Sequence, residues 1–266
     1  MTNRFHLNRL VIFVVPVLLF LLSSAVLPAF ADQLTLVGCN GGPDTVITSG
    51  SATLPCSYTV FGLTANSTET GDLAKGTSGV LVSATNPNSP FGGGLASASV
   101  EVTYVFNGLS SSVASETFDV LAHGDTLSST PNGDALMEFE YSGGPWTIGG
   151  VSQPTSAAHL GIGDSFIKLT APNVNGTATV SFTEIAQAAV GGADSGASTT
   201  DFLHTFSITG ASAFDANGNP VSETFVSESG FNPNAPVTTT PEPSSLVFLG
   251  AGLLGLIVLK LKAVMA

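Results

Sequence analysis

The chain has 266 residues, with six basic against nineteen acidic side chains, a formal net charge of −13, and only 9% charged residues. Between residues 32 and 240, Lys75 and Lys168 are the only cations against eighteen acids, so this part carries about −16. Nucleic-acid affinity rests on neutralising phosphates with basic groups, so a phosphate-binding surface is excluded and no nucleic-acid partner is expected.

At the N-terminus, Arg4 and Arg9 precede an apolar stretch, Leu10 to Leu22, and Ala29-Phe30-Ala31 puts small residues at both positions that a signal peptidase reads. This pattern predicts a secretory signal peptide over 1–31 with cleavage between Ala31 and Asp32. The apolar stretch is shorter than the roughly 20 residues needed to span a bilayer, and Pro16 interrupts it, which argues against a retained anchor. Export implies an oxidising compartment. Cys39 and Cys56, the only cysteines, are therefore read as a disulfide, and no histidine or third cysteine stands at zinc-site spacing from them.

From there on, alternation dominates. Ala96, Ala98, Val100, Val102, Tyr104 and Phe106 share one face of a predicted long strand, with Ser97, Ser99, Glu101 and Thr103 on the other. Ala135, Met137, Phe139 and Tyr141 repeat the device against Glu138 and Glu140, and Phe202, His204, Phe206 and Ile208 repeat it again. Shorter strands are expected over Cys56 to Phe61, Val80 to Ala84, Phe118 to Ala122, Phe166 to Leu169 and Ala178 to Ile185. Asn-Gly pairs at Asn107, Asn132, Asn175 and Asn217 supply the positive φ of tight hairpins. Glu184 to Val190 reads as a strand running into a loop, and 86–94, 143–156 and 191–200 read as loops. The fold class expected is all-β, an antiparallel β-sandwich of jelly-roll or immunoglobulin-like type over 32–230, followed by a Pro-containing linker over 231–240.

Candidate chemistry within this domain is sparse. Trp146, in Gly143-Gly144-Pro145-Trp146-Thr147, could stack on a sugar or cap the core, which makes polysaccharide the best specific ligand class. Gly163-Asp164-Ser165 and Asp201-Phe202-Leu203-His204 have the look of the blocks of an SGNH-type lipase or esterase. They stand only about 40 residues apart in a chain without predicted helices, where such hydrolases need an α/β scaffold, so a secreted hydrolase is the weakest reading. Asp215-Ala216-Asn217-Gly218-Asn219 begins like a calcium loop, but Pro220 and Val226 occupy the positions where Gly and a bidentate Glu belong, so a hairpin turn is expected. Asp119, Asp125, Asp134, Glu138 and Glu140 are candidates for a looser calcium site, or for a solvated acidic rim. No catalytic residue, metal site or cofactor is assigned, and the chain is expected not to be an enzyme.

The C-terminal region 241–266 opens with Pro241-Glu242-Pro243, continues into an apolar run from Leu246 to Leu259, and carries Lys260 and Lys262. At 1.5 Å per residue the uncharged stretch 244–259 reaches about 24 Å, slightly short of a hydrocarbon core, and the lysines favour a cytoplasmic end. The stretch TPEPSSLVFLGAGLLGLIVLKLK resembles the C-terminal sorting signal of the PEP-CTERM proteins. It departs from that pattern in ending on two lysines where the family carries a cluster of arginines. Asp201 to Phe231 is also similar to the closing strands of β-sandwich domains in that family. The resemblance implies export by way of signal peptidase, a transmembrane helix at the C-terminus, recognition of Pro241, Glu242 and Pro243 by an exosortase-type transpeptidase, and delivery to the envelope membrane or extracellular matrix.

Overall fold

The computed structural model describes residues 31–38, 44–60, 62–86, 94–129, 134–190 and 196–235. The expected signal peptide up to Phe30, Cys39, and the whole tail 241–266 lie outside the described residues. The chain divides into two compact units, Met1–Asn234 and Ala235–Ala266, and every described strand belongs to the first.

In chain order the strands are β1 (Gln33–Val37), β2 (Asp44–Ile47), β3 (Ser51–Val60), β4 (Leu63–Asp72), β5 (Thr77–Asn86), β6 (Gly94–Asn107), β7 (Ser115–Ser128), β8 (Asp134–Tyr141), β9 (Trp146–Ile148), β10 (Val151–Ser152), β11 (Ala157–Leu160), β12 (Gly163–Pro172), β13 (Thr177–Val190), β14 (Gly196–Phe214) and β15 (Pro220–Val221). Among the described residues there is no helix. Six strands form one sheet in the order β11-β8-β13-β6-β1-β2, and nine form the other, β10-β9-β12-β7-β14-β5-β4-β3 with β15 beside β14. Apart from the β3-β4-β5 meander and the β1-β2, β9-β10 and β14-β15 pairs, successive strands alternate between the sheets. Hence the closest partners are distant in sequence: β13 pairs with β6 from Thr177↔Asn107 to Val190↔Gly94.

The alternation read from the sequence is what closes the two sheets on each other. Ala96, Ala98, Val100, Val102, Tyr104 and Phe106 of β6 are all buried, as are Met137, Phe139 and Tyr141 of β8. Against them the second sheet presents Phe118, Val120 and Ala122 of β7 and Phe202 and Phe206 of β14. Rings interlock across the layers: Phe106 stacks on Phe118 at 4.9 Å, and Phe139 lies 5.9 Å from Phe206 in near-parallel planes. Each such ring contributes roughly 2 to 3 kcal/mol by burial, and the pair geometry adds about 1 kcal/mol.

Turn chemistry follows the Asn-Gly signals. Asn175 and Gly176 both hold positive φ, 57° and 83°, and Val174 and Thr177 exchange both backbone hydrogen bonds across them, a two-residue hairpin of the primed type. Gly108 and Gly218 are likewise positive, while Asn132 lies outside the described residues.

Several expected loops and boundaries shift. The segment 143–156 holds β9 and β10, and 191–200 gives way to β14 from Gly196 onward. The ladder through Val190 shows that 184–190 is strand throughout. β4 escaped the sequence reading because its inward positions after Leu63 and Ala65 are Ser67, Glu69 and Gly71, with little apolar signal. Gly71 is inward because Leu34 fills its space: a Cβ there would stand 2.6 Å from the Leu34 side chain.

The first residues of the expected linker are part of the sandwich. Phe231 is buried with its ring 5.1 Å from that of Tyr104. Asn234 accepts the Ala211 N–H through Oδ1 at 2.9 Å and donates from Nδ2 to the Ala211 carbonyl at 2.9 Å. The first unit therefore extends through Asn234, four residues into the expected linker.

Candidate functional site

The N-terminal end of the described domain is built around Asp32, the residue expected to open the processed chain. Its side chain is fully buried. Oδ1 accepts the Val105 N–H at 2.7 Å, and Oδ2 accepts the Ser227 hydroxyl at 2.5 Å and the Ser229 N–H at 2.8 Å. One carboxylate thus ties the start of the domain to central strand β6 and to the segment that leads out toward the tail. Sequence reading assigned Asp32 only to the peptidase site. Its structural role was invisible because all three partners lie at least 73 residues away. Ala31 is exposed beside it, and Ala29 lies outside the described residues.

Cys56 sits on β3 and is disulfide-bonded. Cys39, the expected partner, lies outside the described residues, but the Cβ position at its neighbour Gly38 is 3.4 Å from Cys56 Cβ.

The other candidates disperse. Trp146 is buried: its ring lies 5.6 Å from Phe139 and its Nε1 donates to the Thr155 carbonyl at 2.9 Å, so it caps the core and offers no face to a sugar. Asp164 and Ser165 stand on β12, and Asp201 and His204 on β14, with β7 between the two strands. That separates their backbones by two strand spacings, about 10 Å. Asp164 is engaged instead by His123, Nδ1 to Oδ1 at 2.5 Å. Asp215 Oδ1 accepts the N–H groups of Asn217 and Asn219, both at 2.8 Å, and Oδ2 accepts Asn219 Nδ2 at 3.0 Å, which closes the expected hairpin. These bonds, the Asn219 side chain first, hold the Asp215 carboxyl below its ordinary range. Asp119 and Asp125 belong to the nine-stranded sheet, and Asp134, Glu138 and Glu140 to the six-stranded one. Among the described residues no three acids, histidines or cysteines converge on a metal position.

What sequence reading missed is a set of buried glutamates. Glu69, Glu116 and Glu184 are each fully buried. Glu184 accepts the Ser78 hydroxyl across the two layers, but its Oε2 has no partner, and burial raises its carboxyl well above the ordinary range. Neither oxygen of Glu69 completes a hydrogen bond; burial pushes its carboxyl up to about 7, with the nearby Ser67 hydroxyl offsetting only part. Glu116 is pushed up to about 7 by burial and then by the charge of Glu223. Desolvation penalises the charged form, so near neutrality Glu69 and Glu116 are divided between acid and carboxylate. Each stands at an inward position of its strand, and burial-phase alternation is the one signal that would have found them.

Residues 239–262 match the family model of the PEP-CTERM protein-sorting motif. The match takes in Pro241, Glu242, Pro243, the apolar run and both lysines, and bears out the resemblance read from them. It supports export, envelope association and handling by exosortase-type machinery. No curated protein matches the chain. Among the described residues no helix is long and apolar enough to cross a membrane, and the expected span 246–259 lies outside them.

Proposed function

We infer that this chain, which carries a PEP-CTERM sorting motif over 239–262, is a non-catalytic exported protein delivered to the cell envelope or extracellular matrix, where it displays its acidic β-sandwich. The observation that carries the reading is the join between domain and tag. The folded unit runs to Asn234, which is hydrogen-bonded to Ala211, and the matched motif begins at residue 239. Only four residues of sequence separate the last residue of the folded unit from the matched motif. A membrane-embedded enzyme would grip the Pro-fixed, extended backbone around Glu242 while the apolar run holds the tail in the bilayer.

Dispersal of the candidate catalytic groups supports the non-catalytic part of the reading. Asp164 is spent on His123, and its block stands about 10 Å from the block on β14. The strongly acidic surface suits a soluble domain that resists association with other polyanions.

Replacing Pro241, Glu242 and Pro243 by alanine leaves the apolar run intact. The sorting reading expects an unprocessed, membrane-bound precursor of higher mass to accumulate. If mutant and parent show the same mature mass and the same distribution between membrane and matrix, the tail is a passive anchor and the reading fails.

A further inference from the structure

Strand β12 breaks the alternation of the sandwich at one point. Its inward side chains Ile167 and Leu169 are buried, whereas on its outer face Phe166 stands between Asp164 and Lys168 with 66% of its surface exposed. It is the only exposed Phe, Tyr or Trp ring among the described residues. The register across to β7 sets Phe166 opposite Leu121, and on either side of the ring it sets Asp164 opposite His123 and Lys168 opposite Asp119. Both flanking positions form cross-strand pairs, His123 Nδ1 to Asp164 Oδ1 at 2.5 Å and Lys168 Nζ to Asp119 Oδ1 at 3.0 Å.

Phe166, Asp119 and Lys168 border an open groove of about 560 Å³ together with Thr147, Thr209 and the Gly149-Gly150 turn. Gly149 donates its N–H to the Phe166 carbonyl at 2.8 Å. Both glycines hold positive φ, 56° and 81°, so the turn beside the ring carries no side chain to cover it. A second hollow of about 130 Å³ shares Thr147 and Lys168 and extends the groove to Gln153 and Thr170.

An apolar ring bordered by fixed hydrogen-bonding groups matches the two-sided chemistry of a sugar, whose C–H face packs on an aromatic while its hydroxyls bond at the rim. The charge pattern selects among sugars. Lys168 is already matched by Asp119, and the domain around it carries a large negative charge, so a polyanion gains nothing there. A dry protein contact would have to desolvate both cross-strand pairs, whereas sugar hydroxyls replace the water bonds they lose.

We propose that this outer face of the nine-stranded sheet binds a neutral polysaccharide, with one ring stacked on Phe166 and its hydroxyls bonded by Asp119, Lys168, Thr147 and Thr209. The proposal stands apart from the sorting reading, since it concerns the folded domain alone.

Affinity electrophoresis of the full-length protein in mild detergent, through native gels containing dextran, hydroxyethylcellulose, xylan or polygalacturonate, tests it. Retardation is expected in at least one of the three neutral gels and not in polygalacturonate. Phe166→Ala should weaken that retention by about tenfold or more while leaving the melting temperature unchanged, because the ring is exposed. Lys168→Gln should weaken it severalfold. Absence of retardation in every neutral gel, equal retardation by polygalacturonate, or undiminished binding by Phe166→Ala would overturn the proposal. So would self-association that Phe166→Ala abolishes without any glycan binding, which would make the face a contact between copies.

Discussion

Replacing Glu69 by glutamine should stabilise the sandwich strongly at pH 8 and only slightly at pH 5. Glu69 is fully buried, neither of its oxygens has a hydrogen-bond partner, and burial pushes its carboxyl from 4.5 up to about 7. Because the folded-state value lies above the unfolded one, the folded protein holds the proton longer. Stability is then complete in acid and is lost as pH rises from about 4.5 through 7. For a single group with those two values, the loss between pH 5 and pH 8 is roughly 2 to 3 kcal/mol. A domain of this size shifts its Tm by about 2 to 4 °C per kcal/mol, so Glu69 accounts for a fall on the order of 5 to 10 °C. Glutamine keeps the shape and removes the ionisation. Thermal unfolding followed by circular dichroism at pH 5 and pH 8 should therefore show the parent losing stability with rising pH, and Glu69→Gln losing less. If the difference between the two pH values is the same in parent and variant to within about 2 °C, or if the parent gains stability between pH 5 and pH 8, the buried carboxyl does not carry the cost assigned to it.

Glu116→Gln should act in the same direction, because Glu116 is raised to about 7 by burial and by Glu223, and the double variant should flatten the pH profile further. Asp32→Ala removes the acceptor for Val105, Ser227 and Ser229 and strands buried donors, so it should cost about 3 kcal/mol and expose residues 227–235 to limited proteolysis. N-terminal sequencing of the exported protein should begin at Asp32, and a chain still beginning at Met1 would contradict the signal-peptide reading. Non-reducing mass spectrometry should find Cys56 joined to Cys39, a closure worth about 3 kcal/mol, and free thiols in fresh material would refute the pairing. Trp146→Ala should cost about 3 to 5 kcal/mol of stability, since the ring packs on Phe139 in the core, and an unaltered Tm would contradict that burial.

The sequence alone determined the fold class, because a side chain every second residue must face the core or the solvent, and β6 writes that choice in apolar and polar letters from Ala96 to Phe106. It determined the tight turn at Asn175-Gly176, where two successive positive φ angles demand residues that tolerate them. It also determined the sorting motif, a linear signal whose recognition needs no partner from elsewhere in the chain. Tertiary structure decided what depends on residues far apart in sequence. Trp146 could cap the core or meet a sugar until Phe139 and the Thr155 carbonyl claimed it. Phe166 looked like any apolar strand residue until the register with β7 and β9 put it on the outer face between two cross-strand pairs. The burial of Glu69 and Glu184 has no local mark, because local polarity says nothing about which face of a strand another sheet will cover. Asp32 became the fastening of the domain only once strand pairing carried Val105 to it and the chain's return brought Ser227 and Ser229.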